Sequence, residues 1–256
     1  MAEACARTGR DSAGIQLVAV SKTVSADRLV AAVAAGLTQL GENRVQEAES
    51  KAPHVPGAHW HLVGPLQSNK ARRAVELFDT IESVDSVELA RRLDRLAGEI
   101  VVTPGASSAG SAGAARSAAL GVYLQVNVDR DEAKAGFLPQ ALEAELPALA
   151  ELSNLSLLGL MTVGRLVDSP EKARPTFVRL RELSVRLRGE VPALGAGLSM
   201  GMSDDYAVAV EEGATLIRVG RALFGQRPGA GAYPGGADRR ERSDNARRGG
   251  PALGGR

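Results

Sequence analysis

Eight short apolar segments recur along the chain, each followed by a stretch able to form a helix, and few architectures satisfy that alternation. The segments run Ile15 to Ser21, Gln39 to Gly41, His59 to Val63, Thr80 to Val84, Val122 to Asn127, Leu155 to Leu160, Leu198 to Met200 and Leu216 to Val219. Ala26 to Ala35, with Leu29, Val30 and Val33 behind a Ser25 N-cap, reads as the first helix of the series. Ser86 to Ala97 places Val87, Leu89, Leu93 and Leu96 on one face behind an Asp85/Glu88 capping box, and Ser169-Pro170 opens a long helix through Leu187. Eight βα units imply an α/β fold of the closed (β/α)8 TIM-barrel type. A doubly wound open sheet is the alternative, because short strands are easily miscounted. Only 3% of the residues are aromatic, so the core is expected to be aliphatic, as in parallel sheets covered by helices.

Two segments stand outside the pattern. Thr103 to Ala119, rich in Gly, Ala and Ser and without period, reads as a flexible loop between the fourth helix and the fifth strand. From Gln226 onward seven Arg face three acids among many Gly, with little to bury; this reads as a disordered tail, residues 226–256, behind a single domain of residues 1–225. The 31 basic and 30 acidic side chains leave a formal net charge of +1, so no global field draws the chain onto nucleic acid or an anionic membrane. Cys5 is the one cysteine, which rules out an internal disulfide and a cysteine metal cluster and suits a reducing compartment. No apolar run approaches the roughly 20 residues of a membrane span, and the first residues lack the basic-then-apolar order of a secretory signal, so a cytoplasmic location is expected.

In such a barrel the working face is the C-terminal end of the strands. Lys22 follows the first strand in LVAVSKT, which puts its side chain at the barrel mouth, where desolvation and nearby cations favour the neutral, nucleophilic amine. SMGMSDDY after the seventh strand and RVGRALFG after the eighth make a phosphate site. Gly201 and Gly220 permit close backbone approach, Ser203 offers a hydroxyl as its segment enters a helix at Asp205, and the Gly220 and Arg221 amides donate from the other side, with Arg221 adding charge. Each residue also has a plainer reading, as turn glycine, helix cap or surface lysine. Together they suit a phosphorylated aldehyde captured as a Schiff base, and pyridoxal 5′-phosphate and sugar-phosphate aldehydes both meet that chemistry. Arg218 shares strand parity with Gly220 and is expected to enter the barrel at the depth of a bound ring. A guanidinium beside a pyridine nitrogen keeps that nitrogen unprotonated, because adjacent cations repel, and the ring becomes a poor electron sink. Enzymes that need strong carbanion stabilisation pair the nitrogen with a carboxylate instead. An ordinary ion pair is the competing reading of Arg218.

His59 and His61 can face one side of a strand, but only His54 remains to join them, so no metal site is expected and His61 is read as a cofactor-pocket or packing residue. No GxSxG, Walker A or Rossmann glycine fingerprint follows a strand, which leaves serine hydrolysis and nucleotide binding without support.

LVAVSKT, GENRVQE, HWHLVGPLQSNK, VNVDRDEAKAGF, LLGLMTVGR, LSMGMSDDY and IRVGRALFG follow one another from about Ala2 to Pro228. In this order they closely resemble the segments of the pyridoxal 5′-phosphate homeostasis family, also called the YggS or PROSC family. The resemblance implies a single barrel of the alanine-racemase N-terminal type that binds pyridoxal 5′-phosphate (PLP). It implies Lys22 as the covalent Schiff-base lysine, Ser203 and the loop of Gly220 and Arg221 as phosphate contacts, Arg218 at the pyridine nitrogen, and Asn43, His61 and Met161 around the pocket. It further implies a monomer that regulates vitamin B6 supply and amino-acid and keto-acid balance without established catalysis, with PLP-requiring apo-enzymes as candidate recipients. Three features depart from the pattern. Arg221 stands where the family usually has Thr or Ser, the segment AEACARTGRD reads as what remains of a longer first helix, and the loop at Thr103 to Ala119 is long but lies opposite the working face.

With no evident second domain, and with Tyr123, Tyr206 and Tyr233 in a strand, a helix start and the tail, the chain is read as a non-catalytic carrier. The alternatives are a PLP-dependent barrel enzyme such as an amino-acid racemase, and a Schiff-base lyase that acts on sugar phosphates without cofactor.

Overall fold

Eight parallel strands follow one another in sequence order around a closed barrel in the computed structural model, which describes residues 1–101, 119–164 and 167–225. The strands are β1 Gln16–Val20, β2 Gln39–Glu42, β3 His59–Leu62, β4 Thr80–Val84, β5 Leu120–Gln125, β6 Leu155–Met161, β7 Gly197–Ser199 and β8 Leu216–Val219. The helices are α1 Ala2–Thr8, α2 Ala26–Ala34, α3 Val45–Lys51, α4 Ala71–Leu77, α5 Val87–Val101, α6 Pro139–Ala150, α7 Arg174–Glu190, α8 Tyr206–Glu211 and α9 Arg221–Phe224. The β1–β8 ladder, in which Val18 pairs with Arg218 and Ala19 with Val219, closes the ring and removes the open-sheet alternative. Met1–Gly225 forms one compact unit. The loop predicted at Thr103 to Ala119, apart from Ala119 itself, and the tail predicted from Gln226 lie outside the described residues.

Strand periodicity sorts the side chains into two populations. Val18, Tyr123, Met161 and Leu216 meet inside the barrel. Their neighbours Ala19, Leu124, Leu160 and Ile217 face outward into the larger core under the helices. On α5 the buried residues Leu89, Ala90, Leu93, Leu96 and Ala97 keep the 3.6-residue period. Burying each of these leucines contributes about 1.5–3 kcal/mol, and Leu93→Ala would remove about 2–5 kcal/mol.

Three local expectations shift. The α5 cap is Ser86, whose Oγ accepts the Leu89 N–H at 3.3 Å, one residue beyond the expected Asp85. Pro170–Ala173 forms a 3-10 turn and α7 starts only at Arg174, where Pro175, lacking an N–H, suits the first turn. β5 runs two residues earlier than expected, because Asn127 leaves the strand to fold a loop. Its amide donates to the Asp131 carbonyl at 2.8 Å and accepts the Asp131 N–H at 3.0 Å. Among the described residues, no helix is long and apolar enough to cross a membrane.

Candidate functional site

Strand register brings the sequence-predicted residues around one end of the barrel. Val20, the last residue of β1, pairs with Gly41 of β2, and the β8 partner of Ala19 is Val219, immediately before Gly220. Lys22 lies two residues past β1, half-buried in a turn. That turn is held from both sides by α3. Lys51 Nζ donates to the Ser21 carbonyl at 2.9 Å and to Glu42 Oε1 at 2.7 Å, Ser21 Oγ donates to the same carboxylate oxygen at 2.7 Å, and the Thr23 N–H donates to Glu47 at 3.3 Å. Thr23 adopts φ 67°, a left-handed conformation that costs a β-branched residue about 1–3 kcal/mol. These bonds therefore over-determine a strained turn directly beside the lysine. Burial pushes the Glu42 carboxyl up against the pull of Lys51 and Ser21, and its Oε2 is the one buried side-chain polar atom without a partner among the described residues.

Across the mouth, the loops after β7 and β8 are joined by the Gly220 N–H, which donates to Ser203 Oγ at 3.3 Å. Because α9 starts at Arg221, the N–H groups of Arg221 and Ala222 have no intrahelical acceptor. Asp205 accepts the Met202 N–H at 2.6 Å and precedes α8; burial pushes its carboxyl up. The two glycines of the phosphate reading do different things. Gly201, at φ 93°, makes room for α8, since a Cβ there would meet Ala209 Cβ at 2.5 Å, whereas a Cβ on Gly220 would approach the Val20 carbonyl oxygen at 3.1 Å. The Arg221 side chain is exposed and ion-paired with Asp204.

Below the mouth, a hydrogen-bonded chain crosses the barrel interior. Arg218, 5% exposed, donates from Nη1 to Ser199 Oγ and from Nη2 to the Thr162 carbonyl at 2.8 Å. Ser199 Oγ donates in turn to Glu82 Oε2 at 2.6 Å, and the other Glu82 oxygen accepts from His61 Nδ1 at 2.8 Å. His61 Nε2 faces Gln39 Oε1 at 2.9 Å, so both ring nitrogens are engaged. Burial alone would raise the Glu82 carboxyl, but the His61 hydrogen bond and charge, the Arg218 guanidinium and the Ser199 hydroxyl together bring it below its ordinary range. Burial lowers Arg218 against the attraction of Glu82 and Asp205, and a guanidinium remains cationic under such a load. Arg218 thus enters the barrel, and its Nη1 lies 3.8 Å from Glu82. Tyr123, in the same interior, has its phenol pushed up to about 12 by burial and by Glu82.

Met161 is buried with Val18, Tyr123 and Leu216. Asn43 is half-buried at the end of β2, and its side-chain amide makes no hydrogen bond among the described residues. Its main chain lies so close to Gly64 that a Cβ there would fall inside contact distance of the Asn43 carbonyl oxygen. Among the described residues no group of three or more His, Cys, Asp or Glu side chains is placed to hold a metal. Sequence reasoning missed Glu42, Lys51, Glu82 and Ser199. The available signal was an acid inside an otherwise apolar strand, Glu82 in TIESV, which must find partners if it is buried.

The closed eight-stranded parallel barrel is that of the alanine racemase N-terminal class, and the family model described as "Alanine racemase, N-terminal domain" matches residues 4–228. The pyridoxal phosphate homeostasis protein of Pseudomonas aeruginosa is 41% identical over 230 residues, covering 88% of this chain and 90% of its own. Its Synechocystis counterpart is 38% identical over 216 residues, covering 83% and 92%. PipY of Synechococcus elongatus PCC7942, solved with PLP bound, has a TM-score of 0.74 and 42% identity, covering 88% of this chain and 99% of PipY. The chain belongs to the pyridoxal phosphate homeostasis protein family, the YggS or PROSC family.

Proposed function

We propose that this protein binds PLP at the barrel mouth and carries or buffers it, maintaining vitamin B6 supply and amino-acid and keto-acid balance without catalysing a reaction of its own. The observation that carries the reading is the gathering of Lys22, the joined Ser203 and Gly220 loops, and Arg218 around one barrel end through the β1–β8 register. The donor set fits the cofactor: an amine for the aldehyde, hydroxyl and amide donors for the phosphate, and a guanidinium for a ring nitrogen that accepts. Gly220 also leaves open the space that a Cβ would fill beside Val20.

In this reading the Lys22 amine adds to the aldehyde carbon and water leaves, giving a covalent Schiff base. The Ser203 hydroxyl and the Gly220 and Arg221 amides hold the phosphate, with the Arg221 guanidinium adding charge at the rim. Asn43, His61 and Met161 surround the pocket, and Arg218 keeps the ring nitrogen unprotonated. When bound, PLP supplies an electrophilic aldehyde on a conjugated ring, and a ring held this way is a weak electron sink. A ring that is a weak electron sink favours the carrier over a racemase, which depends on strong carbanion stabilisation. A cytoplasmic monomer that delivers PLP to apo-enzymes completes the proposal; the single, buried Cys5 suits that compartment.

The test is an absorption spectrum of cofactor-supplemented protein before and after borohydride reduction, followed by peptide mass mapping. A band at about 420 nm that disappears and leaves a pyridoxyl adduct on Lys22 supports the proposal. No band and no adduct would overturn it.

A further inference from the structure

The Glu82 carboxylate is fully buried, and both of its oxygens are hydrogen-bonded to side chains. One takes the Ser199 hydroxyl at 2.6 Å and the other takes His61 Nδ1 at 2.8 Å. The directions of the bonds are fixed by chemistry. An ionised carboxylate only accepts, so Ser199 must donate its single proton to Glu82, and its lone pairs are then left for the Arg218 guanidinium, which only donates. At 3.8 Å the direct approach of Arg218 Nη1 to Glu82 is too long for a hydrogen bond, so the hydroxyl is the link. Thr162 holds the second Nη through its carbonyl, and that carbonyl belongs to a residue whose own N–H is bound to Ser199, at 3.1 Å from the Ser199 carbonyl oxygen.

We infer that Glu82, acting through Ser199, is a positioning residue that fixes the orientation of Arg218 toward the PLP ring nitrogen, with His61 and Gln39 bracing the carboxylate from behind. The inference rests on the proposed PLP site. A guanidinium on a four-bond side chain has many rotamers, and ordering it only when ligand arrives would cost affinity. The chain of Gln39, His61, Glu82, Ser199 and Arg218 sets the fork beforehand. It also supplies the counter-charge without placing a carboxylate at the ring, where it would invite a proton onto the nitrogen.

The experiment compares wild type, Glu82→Gln, Glu82→Asp and Ser199→Ala in two measurements. The first is nitrogen-15 NMR of the Arg218 guanidinium and His61 ring in cofactor-free protein; the second is PLP titration, with the bound ring nitrogen followed by nitrogen-15 label. Glu82→Gln is expected to lose the slowly exchanging Arg218 guanidinium signals, to weaken PLP binding by about tenfold, and to move the ring-nitrogen shift, because a charge-assisted bond has been removed from the chain. Glu82→Asp should recover part of each, which a merely structural role would not require. Ser199→Ala, which deletes the link and leaves the charges, should disorder Arg218 in the same way and decides the matter if Glu82→Gln does not fold. Unchanged Arg218 signals in Ser199→Ala, or unchanged affinity and ring shift in a folded Glu82→Gln, would overturn the inference. A wild-type protein that binds no PLP would sink the functional reading alone, since the cofactor-free spectra still report whether Glu82 orders Arg218.

Discussion

Gly220 and Ser203 lie 17 positions apart in the chain, yet the Gly220 N–H donates to the Ser203 hydroxyl oxygen at 3.3 Å, tying the loops of two neighbouring strands together at the barrel mouth. A hydroxyl so placed both accepts from one loop and keeps its own proton for a ligand. Ser203→Ala is therefore expected to weaken PLP binding by about tenfold, the cost of a hydrogen bond to a charged group, while the fold is retained. Fluorescence titration against PLP checks this; an unchanged dissociation constant would remove Ser203 from the phosphate site.

Lys22→Ala should abolish covalent attachment and leave stability within about 0.5 kcal/mol of wild type, since a half-buried lysine in a turn adds little to the core. Borohydride reduction with mass mapping reads the first effect and urea unfolding the second. Loss of folding would mean that the side chain holds the strained Thr23 turn rather than a ligand.

Lys51 neutralises a buried carboxylate, and its removal should show in the pH dependence of stability. Burial holds the Glu42 carboxyl above its ordinary value, so the folded state binds that proton more tightly than the unfolded chain. Stability from the protonated form is fully present below the ordinary carboxylate range and is lost as pH rises through the raised value. Lys51→Met deletes the principal opposing partner, which raises Glu42 further. The variant is expected to lose about 3–5 kcal/mol at neutral pH and to recover part of that deficit in mildly acidic buffer. Urea unfolding at both pH values measures it, and a deficit that does not narrow on acidification counts against the charge argument.

Two glycine substitutions should have opposite signs. Gly64→Ala forces a methyl group against the Asn43 main chain and is expected to cost about 1–3 kcal/mol while displacing the end of β2. Gly189→Ala, in α7 with nothing within 4 Å of the added Cβ, should stabilise by about 0.5–1 kcal/mol. Thermal melts of the pair, with PLP affinity measured on the first, separate site distortion from a general loss of stability.

The barrel could be read from the sequence because eight short apolar segments each precede a stretch able to form a helix, and strand parity alone put Arg218 inside. The Ser203 and Gly220 segments were legible because both carry turn residues just past a strand. The Glu82 chain was not, since Glu82 meets His61 across 21 positions and Ser199 across 117, and these separations acquire meaning only once the ring has closed. The α5 start differs by one residue because Asp85 and Ser86 are both able caps, and it is the Ser86 hydroxyl that accepts the Leu89 N–H. Arg221 also pairs with Asp204 on the facing loop, a surface pairing that no local pattern announces.

A ring of strands paired all the way round presents no row of unsatisfied backbone donors and acceptors to its surroundings. If the molecule loads and sheds its cargo repeatedly, as proposed, this bears on its time between cargoes. Losing the ligand uncovers no strand for another polypeptide to add to, and Arg218 still has Ser199 and Thr162 to bind. On the proposed reading, the empty carrier should persist in a crowded cell without seeding aggregates, and remain competent for its next round.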